Sequence, residues 1–492
     1  MSGVGRIAAL VASALVLFFA MPARAADICD GAARFDTPEI AALREWIALA
    51  VPVDEVAHAK ALRIEVAPAG SEFGPYVDLE GESPVLVVPE GFRARHCRMV
   101  LARWLLDGHE DAAFRPTFQA CFRKRRDVEQ CVDAGLDALW PAVNAKVAAL
   151  EEADRDTTIG IVELAFQALV LHEFAHMRQS RFTNRIDPAL DPGRAEFEAD
   201  LYASFFGSIL NGVGVTMAYN FGLLEAIQDF LPAPDSPHDS FTCRAHDALF
   251  IGARFGIPVI RILAWPHRPD PHGRGQLATF ARGEDQLVNF GRTCNDRPID
   301  LTDTVADMRK LADFQNSVID SLDQDSVETG MRIIKALIDL PLHSEYGEFV
   351  RFRLVASYAR FFPFPASPRD MAKLISMIGL EKNRRYFIAF DFGYMLRQQA
   401  VAAIHALPAN EPPGTDHPAI HALFDRADYY HPGDGSTYMW RGILYYFEDK
   451  CTAALTELRR ALPGSSEQRR TEILSPLTEK TERKQAAGDC RP

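Results

Sequence analysis

The sequence contains no C-x-x-C pair, no lipid-attachment box before its first cysteine and no dense stripe of lysine and arginine. The first absence argues against thiolate clusters for a metal, and the second against a lipoprotein. The third, with a net charge of −14, argues against nucleic-acid binding, which depends on neutralising phosphates with clustered cations. The one basic run, Arg123-Lys124-Arg125-Arg126, reads as a solvated helix face. After the N-terminus no segment offers roughly 18 uninterrupted apolar residues, so no stable membrane span is expected in the mature chain. Disorder-class bias is missing as well: 48% hydrophobic and 24% charged residues is the composition of a folded protein.

What the chain does have is 492 residues, too many for one ordinary hydrophobic core, so several domains are expected. Its start is a targeting segment in pattern. Arg6 supplies a positive charge, Ile7 to Ala20 a continuous apolar stretch, and Ala23-Arg24-Ala25 a small-x-small cleavage signal. Residues 1–25 therefore read as a signal peptide and Ala26 as the mature N-terminus, an uncleaved anchor being the alternative. Export to the periplasm or beyond places all eight cysteines (Cys29, Cys97, Cys121, Cys131, Cys243, Cys294, Cys451 and Cys490) in an oxidising compartment. An even number there points to disulfides, although the count alone fixes no connectivity. Proximity along the chain suggests Cys121 with Cys131, Cys243 with Cys294, and Cys451 with Cys490.

Patterning predicts an α+β, predominantly helical chain. The alternation in 61–68 and the branched apolar run 84–89 read as strands, with Gly70, Gly74-Pro75 and Gly81 marking turns between them. From Arg93 to Ala153 the period becomes helical, completing an N-terminal α+β region over 26–155. A second region, 156–268, opens with a helix over Thr158 to Arg181. Asp191-Pro192 starts another, which Asn211-Gly212 stops, and a third occupies Val213 to Leu231. Residues 269–410 are helical with breaks near Pro298, Pro341 and Pro363 to Pro368, and Glu411-Pro412-Pro413-Gly414 reads as a linker. In 411–492, Ser436 to Phe447 and Cys451 to Ala461 form a helical hairpin whose Trp440, Gly442, Tyr445 and Ala453-Ala454 sit much as in a tetratricopeptide unit.

The chemistry is concentrated in His172-Glu173-Phe174-Ala175-His176. Positions i and i+4 lie one turn apart on one helix face, so two imidazoles can converge on a single zinc ion, one per chain. Glu173 stands beside that pair, where it can take a proton from water on the metal. A catalytic zinc needs a third protein ligand and an open position. Glu196, on the run Glu196-Phe197-Glu198-Ala199-Asp200, is twenty residues past His176, far enough for an antiparallel return. Asp200, one turn later, can then orient a ligand histidine through its distal nitrogen. The bland counterpart makes these carboxylates a solvated acidic helix start.

These residues resemble the gluzincin metallopeptidases, in which H-E-x-x-H on one helix is completed by the first Glu of E-x-x-x-D on the next. E-F-E-A-D is particularly similar to the E-F-x-A-D of the CAAX-prenyl-protease type. The resemblance covers about 164–244 and implies a zincin-like core with His172, His176 and Glu196 as ligands, Glu173 as general base and Asp200 as orienting group. That family also carries a His-Pro-x-x-x-x-Arg element, and His238 and Arg244 have its spacing. Here Pro237 precedes the histidine instead of following it. The family's transmembrane helices are missing, so prenylated substrates are not implied. In overall plan the chain is similar to periplasmic proteases that join such a domain to tetratricopeptide repeats.

The resulting expectation is an exported zinc metallopeptidase acting on peptides or unfolded protein, with a protein partner bound by the C-terminal helical region. Two other readings stay open: a non-catalytic helical-repeat scaffold with a structural metal site, and a zinc amidase acting on a non-peptide or cell-wall amide.

Overall fold

Branched and alternating residues at 63–67 and 85–89 form neighbouring strands in the computed structural model, which describes residues 29, 37–68, 74–78, 85–105, 128–182, 199–200, 202–203, 302–318, 327–361, 368–408, 410, 412, 414–463 and 465–491. The expected signal peptide, Arg123–Arg126, most of the helices begun at Pro192 and Val213, and Cys121, Cys243 and Cys294 lie outside these residues. The described chain is predominantly helical with one three-stranded sheet. It divides into two units, 1–47 with 58–300, and 48–57 with 301–492.

In the first unit, β1 (Arg63–Ala67) runs parallel to the central β3 (Val85–Pro89), with Ile64 opposite Leu86. The other edge is β2 (Tyr76–Asp78), antiparallel to β3. Helix α1 (Thr37–Ala50) precedes the sheet; α2 (Phe92–Leu105), α3 (Val128–Ala148) and α4 (Glu152–Phe182) follow it. Their apolar faces enclose a core of Val100, Leu101, Val132, Leu136, Val143, Val162 and Ala165. Cys29 and Cys97 lie in that core and form a disulfide, Cα atoms 5.6 Å apart.

The near-buried Arg93 ties α1, α2 and α4 together. Its guanidinium donates to both oxygens of Glu163 at 2.7 and 2.9 Å, lies 3.3 Å from Glu39 and stands over the Phe166 ring. Residues Thr158–Met177 of α4 are long and apolar enough to cross a membrane by length and composition alone, and 62% of that window is buried in the fold.

The regular elements described in the second unit are helices, among them α5 (Thr302–Val318), α6 (Val327–Ile338), α7 (Glu345–Phe361), α8 (Pro368–Ile378), α9 (Ala389–His405), α10 (Pro418–Tyr430), α11 (Gly435–Phe447), α12 (Cys451–Ala461) and α13 (Ser475–Ala486). The segment 48–57 joins it by backbone bonds: Val53 N–H to the Phe387 carbonyl, and Ala389 N–H to that of Val51, both 3.0 Å. The pairs α9 with α10 and α11 with α12 pack as hairpins. The second is the predicted one, and its Asp434 caps α11 by accepting from Ser436 N–H. Gly442 marks the close approach of α11 and α12: a Cβ at this position would stand 2.9 Å from Leu458 Cγ.

The predicted Cys451–Cys490 disulfide is present, Cα atoms 5.7 Å apart. Cys131 is also disulfide-bonded, and none of the described cysteines is free. Disulfides of this kind place the chain in an oxidising, non-cytoplasmic compartment.

Candidate metal centre

Helix α4 builds the site because its apolar period, through Val162, Ala165, Phe166, Val170 and Leu171, turns one face into the core and carries His172 with it. His172 is 5% exposed, whereas Glu173 and His176 are half-buried. The described helical residues around 200 pack on α4 through aromatic contact, the rings of Phe174 and Tyr202 lying 6.3 Å apart. Ala199, Asp200, Tyr202 and Ala203 are all buried. Sequence reading missed Tyr202. Its signal was an aromatic residue two places after the E-x-x-x-D aspartate, matching Phe174 inside the histidine motif.

The two imidazoles meet as the i,i+4 spacing requires. Their rings are edge to face with centroids 4.7 Å apart, and the Nε2 atoms of His172 and His176 are separated by 3.1 Å. Two ring nitrogens that close repel unless a proton or a cation lies between their lone pairs. For comparison, a tetrahedral zinc with Zn–N near 2.05 Å separates two nitrogen ligands by about 3.3 Å.

Behind His172, its Nδ1 lies 2.9 Å from Asp200 Oδ1, both side chains being 6% exposed. A carboxylate at that distance is an electrostatic partner that favours the tautomer with its proton on Nδ1 and its lone pair on Nε2. Asp200 therefore addresses the far side of the ring, the place of an orienting group and not of a ligand.

Among the described residues no group of three or more His, Cys, Asp or Glu side chains is arranged to hold a metal ion. The donor set they supply is two imidazoles with an orienting carboxylate, which fits zinc in element and spacing and needs one further ligand. The residue expected to supply it, Glu196, lies outside the described residues, as do His238 and Arg244. No family model, curated protein or solved structure matches the chain.

Proposed function

We propose that the chain is an exported, zinc-dependent metallopeptidase in which His172, His176 and Glu196 hold the ion. The observation that carries this reading is the 3.1 Å approach of the two Nε2 atoms, backed by Asp200 on His172. A zinc ion there would supply a Lewis acid for the scissile carbonyl and bring the pKa of a coordinated water to about 7.

The chain's own groups do the rest. Asp200 retains the Nδ1 proton of His172 and fixes its ring. Glu173, adjacent to His172 on the same helix and open to solvent in part, accepts a proton from the attacking water and delivers it to the leaving amine. His238 and Arg244 are the proposed substrate-side groups. An extended peptide adds to an edge of the sheet, which among the described residues has edges at β1 and β2; β2 itself packs against α4.

The test uses the full mature chain, with zinc measured by elemental analysis and hydrolysis measured on an unfolded protein substrate. The expected result is one zinc per chain in both wild type and Glu173→Gln, with hydrolysis only in wild type. A wild type without zinc, or a Glu173→Gln variant that still cleaves, overturns the reading.

A further inference from the structure

The C-terminal tail follows α13 and reverses onto the hairpin α11–α12. Gly488, at φ 76°, makes the left-handed turn that ends the helix. The Asp489 N–H then bonds to the Lys484 carbonyl at 3.2 Å, and Cys490 reaches back to Cys451, the first residue of α12.

Arg491 joins three pieces of the unit. Its backbone N–H donates to the Asp449 carbonyl at 2.8 Å. Its guanidinium donates to the Glu448 carbonyl (Nε 3.2 Å, Nη2 3.0 Å), to Asp416 Oδ1 at 3.0 Å and to the Gly414 carbonyl. The stretch leading into α10 and the turn between α11 and α12 are thus both held by the tail. Gly414 has φ 79°, and a Cβ there would stand 3.1 Å from both Arg491 Nε and Asp449 Oδ2. The close approach of the strap therefore depends on that glycine.

The two sulfurs of the closing disulfide are unlike. Cys451 is fully buried at the N-terminus of an 11-residue helix, beside Lys450, where a thiolate is favoured. Cys490 is partly exposed between the exposed Asp489 and Arg491. Cys29 and Cys97, by contrast, are both buried. An external thiolate can reach Cys490, and Cys451 is the better leaving group.

We propose that the tail is a strap, closed by Cys451–Cys490 and opened by a dithiol reductant that attacks Cys490. The reductant's thiolate forms a mixed disulfide with Cys490 Sγ as the Cys451–Cys490 bond breaks and its electron pair leaves on Cys451 Sγ. The second thiol, its proton lost to water, displaces Cys490 as thiolate and closes the reductant's own disulfide. The protein disulfide gains two electrons and the dithiol loses two. Once freed, the tail keeps the contacts of Arg491, part-buried at the Glu448 carbonyl and exposed at Asp416, and the stretch 414–417, left with its bonds from Gly414 N–H to the Phe447 carbonyl and from His417 N–H to Glu448, opens more often.

The experiment treats the oxidised full chain with graded dithiothreitol without denaturant. Thiols are alkylated and peptide-mapped, and amide exchange is followed in parallel. Cys451 and Cys490 should label at least about tenfold faster than Cys29 and Cys97, given the difference in access. Exchange at 414–417 should accelerate as they do. Cys490→Ser should show the same exchange without reductant. Reduction of the preformed protein, which does not depend on how that variant folds, decides. Equal labelling of the two disulfides overturns the proposal, as does selective reduction that leaves exchange at 414–417 unchanged.

Discussion

His172 Nδ1 lies 2.9 Å from Asp200 Oδ1, on the opposite side of the ring from the nitrogen that faces His176. Partners of this kind set the basicity and angle of a ligand imidazole, and losing one typically lowers metal affinity about 10- to 100-fold. With zinc held as proposed, Asp200→Ala is expected to weaken its binding by that factor, measured by competition with a chromogenic chelator, while Glu173→Gln leaves the affinity within about twofold. An Asp200→Ala protein that binds zinc as the wild type does would mean that the carboxylate only fills space.

Glu448 is the hub of the second unit. Its buried carboxylate accepts from the His417 N–H at 2.9 Å and faces His421 Nε2 at 2.9 Å, Lys450 Nζ at 3.0 Å and His417 Nδ1 at 3.3 Å. Burial alone would raise its pKa, but the bonds from His421, Lys450 and the His417 backbone outweigh that, and the net shift is downward from 4.5. A carboxyl held lower in the folded than in the unfolded state adds stability above the unfolded value, and that stability is lost as pH falls through the folded one. Urea midpoints should thus drop on acidification below about pH 4.5. In Glu448→Gln the drop should be smaller, and the midpoint at pH 7 should already be lower by the equivalent of about 2 kcal/mol.

Much of this arrangement was legible in the sequence, for reasons that differ by element. The strands at 63–67 and 85–89 betray themselves by alternation and branching, and the hairpin α11–α12 by its helical period. His172 and His176 meet because helix geometry is local. Pairings over long separation left no such trace. Cys29 and Cys97 are 68 positions apart, and segment 48–57 finds Phe387 to Ala389 more than 300 residues away. Strand β2 has three residues among turn formers, too few for a period to register.

Two glycines separate helix propensity from packing. At Gly442 a Cβ would meet the buried Leu458 side chain at 2.9 and 3.0 Å, a neighbour that repacks more readily than backbone does, and the Ala454 carbonyl only at 3.3 Å. At Gly393 it would meet His431 Cβ at 2.6 Å and the backbone atoms Ala427 O and His431 N at 3.0 Å, which cannot. Alanine gains about 1 kcal/mol over glycine within a helix, against about 1 to 3 kcal/mol for overpacking. Gly442→Ala should come out near neutral, and Gly393→Ala destabilised by about 1 to 2 kcal/mol in chemical unfolding. Equal effects at the two sites would show that the α9–α10 contact yields as easily as the α11–α12 one.

Arg353 and Asp391 form an almost fully buried ion pair between α7 and α9, with Nη1 at 2.5 and 2.6 Å from the two carboxylate oxygens. Taking two charges out of water is costly, and their attraction offsets that cost only while both are present. Asp391→Asn leaves the guanidinium buried without its counter-charge and should destabilise the unit by about 3 to 5 kcal/mol. The double variant Arg353→Met, Asp391→Leu removes both desolvation penalties and should recover most of that loss, within about 1 kcal/mol of wild type or above it. A double-mutant cycle in urea measures this directly. Losses that simply add would show that the pair contributes through its neighbours, such as Ser357, whose hydroxyl donates to the Arg353 carbonyl, and not through mutual neutralisation.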